Sequence, residues 1–208
     1  MHVAVFLRGR SFYHTNFYHT DFSESCDNIN EMILEPLRKD GHTVDIFCCT
    51  YISHKIEHVI NFYKPVKTIA VNDEDLASIN SWNRQMIFSI EGLRLLKAYE
   101  STNNIRYDYC INLRFDILFK TPISEQNIDI KKFNIMFKHT SGNCDDNYWI
   151  IGREYFNLFE ESLIKMLNKK DAITHELNHY IGESNINYMY ETDSNEYGYY
   201  SFTRTNNY

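Results

Sequence analysis

A cation and a carboxylate stand two residues apart near the middle of this 208-residue chain, at Arg114 and Asp116. The residues before them, 108–113 (DYCINL), have the β-branched and aromatic content of a buried strand. A spacing of two puts both side chains on one face of an extended chain. Because a buried charge must be paired, hydrogen-bonded or bound to a metal, the pattern predicts either an Arg–Asp ion pair that holds a loop or a functional site.

Polar residues also follow two other stretches that are typical of strands. Arg8-Gly9-Arg10 comes directly after residues 3–7 (VAVFL), and Asp73-Glu74-Asp75 comes just after residues 67–71 (KTIAV). The carboxyl ends of parallel strands meet at one edge of a sheet, where open α/β sheets bind their ligands. We therefore expect these groups to converge on one site together with Arg114 and Asp116.

The sequence contains one literal metal-binding pattern, HExxH, at His175-Glu176-Leu177-Asn178-His179. On a helix this spacing places two imidazoles on one face, with the glutamate positioned to activate a zinc-bound water. The third ligand of the longer zinc-protease signature is missing, because that position is Asn185. Two alternatives follow: a zinc hydrolase centred on His175, Glu176 and His179, or a helix whose polar face carries two histidines by chance.

Strand and helix patterns alternate through the first 120 residues of the chain. This alternation predicts an α/β fold with a mostly parallel central sheet and helices on both faces. Residues 11–22 have no period and predict a loop, and the tyrosine-rich residues 186–204 predict a hairpin or a loop that folds over a site. The predicted strands are residues 3–7, 43–51, 67–71, 108–113, 133–137 and 148–151, and the predicted helices are residues 23–40, 53–63, 81–100, 154–167 and 172–181.

Composition argues against several classes of partner. The formal charge of −7 and the pI of about 5.7 argue against nucleic acid or an anionic membrane as the main partner. No stretch approaches the ~20 apolar residues of a membrane-spanning helix. The five cysteines form no CxxC pair and predict reduced, packed thiols. Since the first residues also lack a signal-peptide pattern, we expect a cytoplasmic protein.

Four segments resemble, in their order along the chain, those of GT-A-fold glycosyltransferases: residues 3–10 (VAVFLRGR), 44–51 (VDIFCCTY), 107–116 (YDYCINLRFD) and 145–152 (DDNYWIIG). The resemblance covers most of residues 1–180 and is to the small glycosyltransferase domains of large DNA viruses and of bacterial polysaccharide clusters. It implies a single GT-A-like (Rossmann-like) domain over residues 1–208. The nucleotide-binding half would span about residues 1–120 and the acceptor half about residues 121–208. For a viral protein, the expected location becomes the host cytoplasm.

The resemblance implies an enzyme that moves a hexose or deoxyhexose from a UDP- or GDP-sugar to a glycan or glycoprotein acceptor. In such enzymes an Asp-x-Asp after the fourth strand holds a divalent metal ion on the donor's diphosphate. Here Arg114-Phe115-Asp116 matches that position. Asp116 is then the expected ligand of Mn²⁺ or Mg²⁺, either alone or with Arg114 taking over part of the electrostatic role. Either cation would stabilise the charge that develops on the leaving nucleoside diphosphate.

The resemblance also implies how the donor nucleotide is held. Arg8 and Arg10 are placed to meet the nucleotide, and Gly9 between them permits close approach of the backbone. Asp73 and Asp75 either contact the base or ribose or form a solvated acidic turn.

Asp145 and Asp146 match the acids that face the acceptor in inverting members of the fold. One of them is expected to deprotonate the acceptor hydroxyl for in-line attack on the anomeric carbon. The alternative is that both belong to a turn and a cap. A further alternative for the whole chain is a non-catalytic nucleotide-sugar-binding module, in which Arg114 marks a lost metal site.

Overall fold

The computed structural model describes residues 1–14, 18–169, 171–190, 200–203 and 205–206. Its strands are β1 His2–Gly9, β2 Phe12–His14, β3 Tyr18–Asp21, β4 Thr43–Tyr51, β5 Lys67–Val71, β6 Tyr109–Arg114, β7 Ile117–Phe119, β8 Phe133–Ile135, β9 Tyr148–Gly152, β10 Ile186–Tyr188, β11 Tyr200–Phe202 and β12 Thr205–Asn206. Its α-helices are α1 Cys26–Ile29, α2 Glu35–Lys39, α3 Ile56–Tyr63, α4 Ser81–Asn103, α5 Phe156–Leu167 and α6 Leu177–Ile181. Short 3₁₀ turns are Phe22–Glu24, Glu74–Leu76, Ile123–Glu125, Arg153–Tyr155, Thr174–Glu176 and Glu183–Asn185, and a π-helical turn, Asn30–Leu34, joins α1 to α2.

Seven strands form the central sheet in the order β10-β8-β9-β6-β1-β4-β5. Only β9 runs against its neighbours β6 and β8, whereas the other neighbouring strands of this sheet pair in parallel. Two small antiparallel sheets, β11-β7 and β12-β3-β2, lie beside it. The prediction of an α/β fold with a mostly parallel sheet is therefore confirmed.

Strand β1 shows why helices cover both faces of the sheet. Its residues 3–8 are all buried, which is typical of a central parallel strand. Val3, Val5 and Leu7 belong to a core layer shared with α1, α2 and α3, whereas Ala4 and Phe6 belong to a layer shared with α4, α5 and α6. The alternation of side chains along an extended chain divides them in this way. The sheet is thus buried from both sides, as the sequence predicts.

Local residue chemistry sets the ends of the helices. The Asn80 side chain caps α4 by accepting a hydrogen bond from the Asn83 N–H at 2.8 Å, and Asn104 ends the helix in a left-handed conformation. Pro36 lies at the start of α2, and the π-helical turn precedes it. There the Glu35 N–H bonds the Asn30 carbonyl, five residues back. The wider π-helical turn lets the chain stay helical at a point where the ring of Pro36 would clash with the preceding turn of a regular α-helix.

The structure corrects two parts of the predicted secondary structure. The predicted loop over residues 11–22 contains β2 and β3, which pair with each other in antiparallel register. Their alternation was missed because each strand is short and polar side chains stand on both faces. The helix predicted over residues 172–181 begins only at Leu177, after a 3₁₀ turn.

The tyrosine-rich residues 186–204 are only partly described. Residues 186–188 extend the central sheet as β10, and residues 200–202 pair with β7 as β11. Residues 191–199 and 204 lie outside the described part of the chain.

All five cysteines are free and buried, and burial raises the pKa of the Cys48, Cys49, Cys110 and Cys144 thiols. They behave as small apolar groups of the core. Over the residues that the structure describes, every helix falls short of the length and apolarity needed to cross a bilayer.

Helix α4 lies so close to β1 that only glycine fits at position 92. A Cβ atom built on Gly92 would lie 1.8 Å from the ring of Phe6. Exchanging glycine for alanine inside an exposed helix normally stabilises it by about 1 kcal/mol. At Gly92 the overpacking, which costs about 1–3 kcal/mol, should win.

We therefore expect Gly92→Ala to lower the free energy of unfolding, measured by urea denaturation. Thr102→Ala, in the exposed last turn of the same helix, is the control and should change it by less than about 0.5 kcal/mol. A Gly92→Ala variant as stable as the wild type would contradict this packing.

Candidate functional site

A cleft of about 540 Å³ opens at the carboxyl ends of β1, β4 and β6. Its walls also include the first turns of α4 and single residues from the later part of the chain. Seven of the candidate residues named from sequence line it: Arg8, Gly9, Arg10, Arg114, Asp116, Asp146 and His175. The polar groups at the ends of β1 and β6 therefore converge on one cleft, whereas Asp73, Glu74 and Asp75 after β5 are not among its lining residues.

Arg114 and Asp116 form a two-point ion pair on the cleft wall. The Arg114 Nε and Nη2 atoms donate to the two Asp116 carboxylate oxygens at 2.8 and 2.7 Å. Burial opposes the charge of Arg114, but the carboxylate outweighs it and raises the pKa of this guanidinium. Asp116 is 3% exposed, whereas the Arg114 side chain keeps 19% of its surface exposed. The Arg114 guanidinium is therefore the more exposed member of the pair at the cleft wall, and the Asp116 carboxylate is the more buried one.

The turn that carries Asp116 is anchored from both sides. It links β6 to β7, and Ser25 Oγ donates a hydrogen bond to the Phe115 carbonyl. On the other side, the Thr203 N–H donates to the Asp116 carbonyl at 3.0 Å. Since both backbone carbonyls of the turn are held, the ion pair sits on a fixed support.

Arg8 is almost completely enclosed, with 1% of its surface exposed. Its guanidinium donates to the side chains of Asn112 and Gln85 and to the Asp146 carbonyl, and it lies 4.9 Å from the Trp149 ring. Burial lowers its pKa to about 10. These contacts make Arg8 a residue that positions its neighbours, and its predicted contact with a nucleotide stays a prediction.

Arg10 belongs to a charge cluster with an excess of positive charge. Its guanidinium donates to both oxygens of Asp73 at 2.7 and 2.9 Å, and Arg84 donates to the same carboxylate at 3.1 Å. The rings of Tyr13 and Tyr51 lie 4.0 and 4.5 Å from the Arg10 guanidinium carbon. Two cations share one anion, so the cluster attracts anionic groups at this end of the cleft.

The backbone at Gly9 has φ of +94°, a conformation that favours glycine and turns the chain between the two arginines. Asp75 lies outside the cleft wall. It is exposed and accepts a long hydrogen bond of 3.4 Å from Asn72. Its expected contact with a base or ribose stays a prediction.

The two neighbouring acids, Asp145 and Asp146, have different surroundings. Asp145 is buried away from the cleft wall and accepts hydrogen bonds from the Tyr200 hydroxyl at 2.6 Å and the Asn147 amide at 2.9 Å. Burial, helped by the charge of Asp146, raises the pKa of Asp145 to about 6. Asp146 lines the cleft and accepts a hydrogen bond from Thr174 Oγ. Only Asp146 is therefore placed to meet a bound molecule.

The HExxH residues point in different directions. The His175 Nδ1 lies 2.9 Å from the Cys144 carbonyl, which can only accept, so Nδ1 carries a hydrogen. The other ring nitrogen, Nε2, lies 3.7 Å from the Asp146 carboxylate beside the cleft. Glu176 is paired with Lys169 at 3.4 Å, and His179 is exposed. This arrangement does not support the zinc-hydrolase alternative, and His175 instead joins the cleft.

The residues around Asp116 fit a divalent metal poorly. A hard cation takes about six oxygen ligands, and both Asp116 carboxylate oxygens already accept from Arg114. Within the described ranges, no three His, Cys, Asp or Glu side chains form a group that could hold a metal ion. Mn²⁺ or Mg²⁺ at Asp116 stays a prediction from resemblance, and no chemical step is derived through it.

No protein-family model matches the sequence, and no curated protein matches it either. Solved structures do match its fold. A mutant of the glycosyltransferase LgtC has a TM-score of 0.52 at 14% identity, over 89% of this chain and 72% of that one. The bifunctional glycosyltransferase WbbM also scores 0.52, at 9% identity, over 89% of this chain and 38% of that one. The chain has a GT-A-type glycosyltransferase fold.

A nucleoside-diphosphate-sugar pyrophosphorylase from Vibrio cholerae shares this GT-A-type fold. Its TM-score is 0.53 at 9% identity, over 93% of both chains. A second LgtC structure, at 13% identity and a TM-score of 0.50, over 89% of this chain and 72% of that one, is a complex with donor and acceptor sugar analogues. At identities this low, similarity between structures establishes a shared fold but not a shared reaction.

Several residues of the cleft were missed by sequence reasoning. Arg84 and Gln85 lie in the first turns of α4 and line the cleft. In the sequence they resemble the ordinary polar face of a helix. Tyr51 ends β4 as one more aromatic residue of a strand. Phe202 comes from β11 and lies 5.5 Å from the Arg114 guanidinium carbon. The polar residues in the first turns of α4 were a usable signal. The tyrosine-rich residues 186–204 predicted a segment over the site, but they did not identify Phe202 itself.

The raised pKa of Asp145 predicts a dependence of stability on pH. Between the ordinary pKa of 3.8 and about 6, the folded protein binds more protons than the unfolded chain. The contribution of Asp145 to the free energy of unfolding therefore falls as pH rises from about 4 to about 7. The loss should be on the order of 2–3 kcal/mol.

Asp145→Asn should remove this loss, so that the stability of the wild type relative to the variant falls with rising pH. Urea denaturation at pH 4 and pH 7 measures the difference. Asp75→Asn, at an exposed carboxylate, is the control and should follow the wild type. Parallel curves for wild type and Asp145→Asn would contradict the assignment.

Proposed function

We propose that this protein is a glycosyltransferase that moves a sugar from a UDP- or GDP-sugar to a hydroxyl of a glycan or glycoprotein. The observation that carries the proposal is the composition of one cleft in a GT-A-type fold. Arginines line one part of it, at Arg10, Arg84 and Arg114, and a carboxylate beside an imidazole lies in the same wall, at Asp146 and His175.

The donor side of the proposal rests on the Arg10–Asp73–Arg84 cluster. A nucleoside diphosphate carries several negative charges, and this cluster has one cation in excess. Tyr13 and Tyr51 already flank Arg10, and Trp82 on the same wall is 41% exposed, which offers a flat surface to a base or a sugar ring. The diphosphate would lie between this cluster and Arg114.

The acceptor side of the proposal rests on Asp146. Its Oδ2 accepts from Thr174 and faces His175, and among the described residues its Oδ1 has no partner. In the proposed reaction the acceptor hydroxyl gives its proton to Asp146 while its oxygen bonds to the anomeric carbon. The bond from that carbon to the diphosphate oxygen breaks, and its electron pair leaves with the nucleoside diphosphate.

One displacement of this kind inverts the configuration at the anomeric carbon. We include inversion in the proposal because a side-chain carboxylate is in place as base. Proton NMR of the sugar released from a donor, recorded before it equilibrates, gives its configuration. Retention would remove this part of the proposal and leave the rest intact.

The first test is nucleotide binding. UDP, GDP, UDP-glucose and GDP-mannose should be tried in turn, and at least one should raise the melting temperature. Arg10→Ala should weaken that ligand's binding at least tenfold in calorimetry, because it removes a cation from the cluster. Arg38→Ala removes an exposed positive charge far from the cluster contacts and should change the affinity less than twofold. No shift with any nucleotide would contradict the proposal.

The second test concerns turnover. With water as acceptor, the protein should slowly release nucleoside diphosphate from its donor, and Asp146→Asn should slow this release by about 10²–10⁴-fold. Affinity for the nucleoside diphosphate should change less than threefold, because Asp146 acts on the acceptor. Asp40→Asn, at an exposed position, is the control.

The same assays separate the alternatives. Binding without any release would identify a non-catalytic nucleotide-sugar-binding module. Formation of nucleotide sugar from a sugar 1-phosphate and a nucleoside triphosphate would identify pyrophosphorylase chemistry instead. Hydrolysis that needs stoichiometric zinc would revive the HExxH alternative.

A further inference from the structure

We infer that Arg114, fixed by Asp116, takes the place of a divalent metal ion at the donor diphosphate, so that nucleoside diphosphates bind this protein without a metal. The inference rests on the proposed function, because it concerns how the same cleft holds its donor. Three observations carry it: the occupation of Asp116, the N–H groups that Arg114 has left, and the charge of the neighbouring cluster.

Asp116 is already occupied by a cation. Both of its carboxylate oxygens accept hydrogen bonds from one guanidinium, at 2.7 and 2.8 Å. A divalent ion at this carboxylate would have to displace Arg114 or lie beside it. Displacement leaves a partly buried guanidinium without its partner, and coexistence places three positive charges around one carboxylate. Both outcomes disfavour the metal.

Arg114 has hydrogen-bond donors to spare. A guanidinium carries five N–H groups, and Asp116 takes two of them. One more makes a long contact of 3.4 Å with the Asn147 side-chain oxygen. The two that remain, and 19% of the side-chain surface, are available on the cleft wall. A planar guanidinium suits the oxygens of a phosphate group, which it can bind through two hydrogen bonds at once.

The ion pair also fixes the orientation of Arg114. Asp116 holds one edge of the guanidinium, and the ring of Phe202 lies 5.5 Å from its central carbon. The carboxylate stands on a turn whose carbonyls are held by Ser25 and Thr203. A cation fixed in this way needs little reorganisation when charge develops on a leaving group. Asp116 is then a positioning residue for Arg114.

Arg114 and Asp116 together carry no net charge, so the net positive charge that a diphosphate would meet comes from the neighbouring cluster. Arg10 and Arg84 share the single carboxylate of Asp73, which leaves one positive charge in excess. All three arginines line the same cleft. A diphosphate between them would meet Arg114 at one end and the excess charge of the cluster at the other.

The deciding experiment is calorimetry of UDP and GDP binding to the wild-type protein. Each titration is run twice, once with EDTA and once with MnCl₂. We expect the dissociation constant of the nucleotide that binds to differ less than threefold between the two conditions. A larger gain in affinity with Mn²⁺ would overturn the inference and leave the proposed function standing. No binding in either condition would overturn both.

A substitution supplies the reverse test. Arg114→Asp restores two acids in an Asp-x-Asp spacing and removes the cation. We expect binding in EDTA to weaken at least tenfold and MnCl₂ to restore most of it. Arg106→Asp makes the same charge change at an exposed position and should bind as the wild type does in both conditions. Circular dichroism checks the fold of each variant.

A variant that binds the nucleotide as well as the wild type in EDTA would show that Arg114 does not hold the diphosphate. Should Arg114→Asp not fold, Arg114→Lys keeps the charge but loses the two-point hydrogen bond. It should weaken binding in EDTA at least threefold, and unchanged affinity would count against the inference. The comparison on the wild type stands without either variant.

Discussion

Burial of charge at the carboxyl edge of the central sheet is the constraint on which the rest of this structure depends. Arg8 shows it in its strongest form, because a guanidinium that has left water must find acceptors for its hydrogens. Its acceptors come from β6, from α4 and from the backbone at Asp146. Satisfying one cation therefore fixes the positions of three elements relative to β1. The hydrogen bonds of Arg8 therefore help to set the shape of the cleft, together with apolar packing.

The acids of the same edge follow the same rule, with different consequences. Asp116 meets an arginine, Asp73 meets two, and Asp145 meets a tyrosine hydroxyl and an amide. An ion pair keeps a carboxylate charged, whereas neutral donors in a buried place leave its pKa raised. Of these four acids, Asp146 alone has a carboxylate oxygen without a partner among the described residues, and it lines the cleft as Asp116 does. The partners therefore distinguish the acids whose oxygens are all occupied from Asp146, which keeps one oxygen open.

The sheet and its large helices could be predicted from sequence because their signals are local. The apolar residues 3–7 of β1 and the periodic pattern of α4 can each be recognised within a short stretch of sequence. The hairpin of β2 and β3 could not be predicted, because short strands with polar side chains on both faces have no clear period. The late start of α6 was missed for a related reason: a 3₁₀ turn and an α-helical turn share the same residue preferences.

The location of the candidate site could be predicted from sequence, whereas most of the contacts between its side chains could not. Strand order brings Arg8, Arg10, Arg114 and Asp116 to one edge, and that follows from topology. Which side chains pair with each other depends on distances that a sequence does not contain. Arg10 pairs with Asp73, Asp145 accepts a hydrogen bond from Tyr200, and Asp146 accepts one from Thr174. The tyrosine-rich composition of residues 186–204 predicted a segment over the site, but nothing in it identified Phe202 as the residue that lines the cleft.

The antiparallel pair of β11 with β7 has a consequence for how this protein is made. Residues 8 and 202 line the same cleft, and Tyr200 holds the buried Asp145 through its hydroxyl. On a ribosome, the sheet from β1 to β9 can form while the last of these residues is still unsynthesised. Until residue 202 emerges, Asp145 lacks one of its donors and Arg114 lacks a neighbour on one side. The nascent chain therefore passes through a stage with a nearly complete sheet and an unfinished cleft, which residues 200–202 complete.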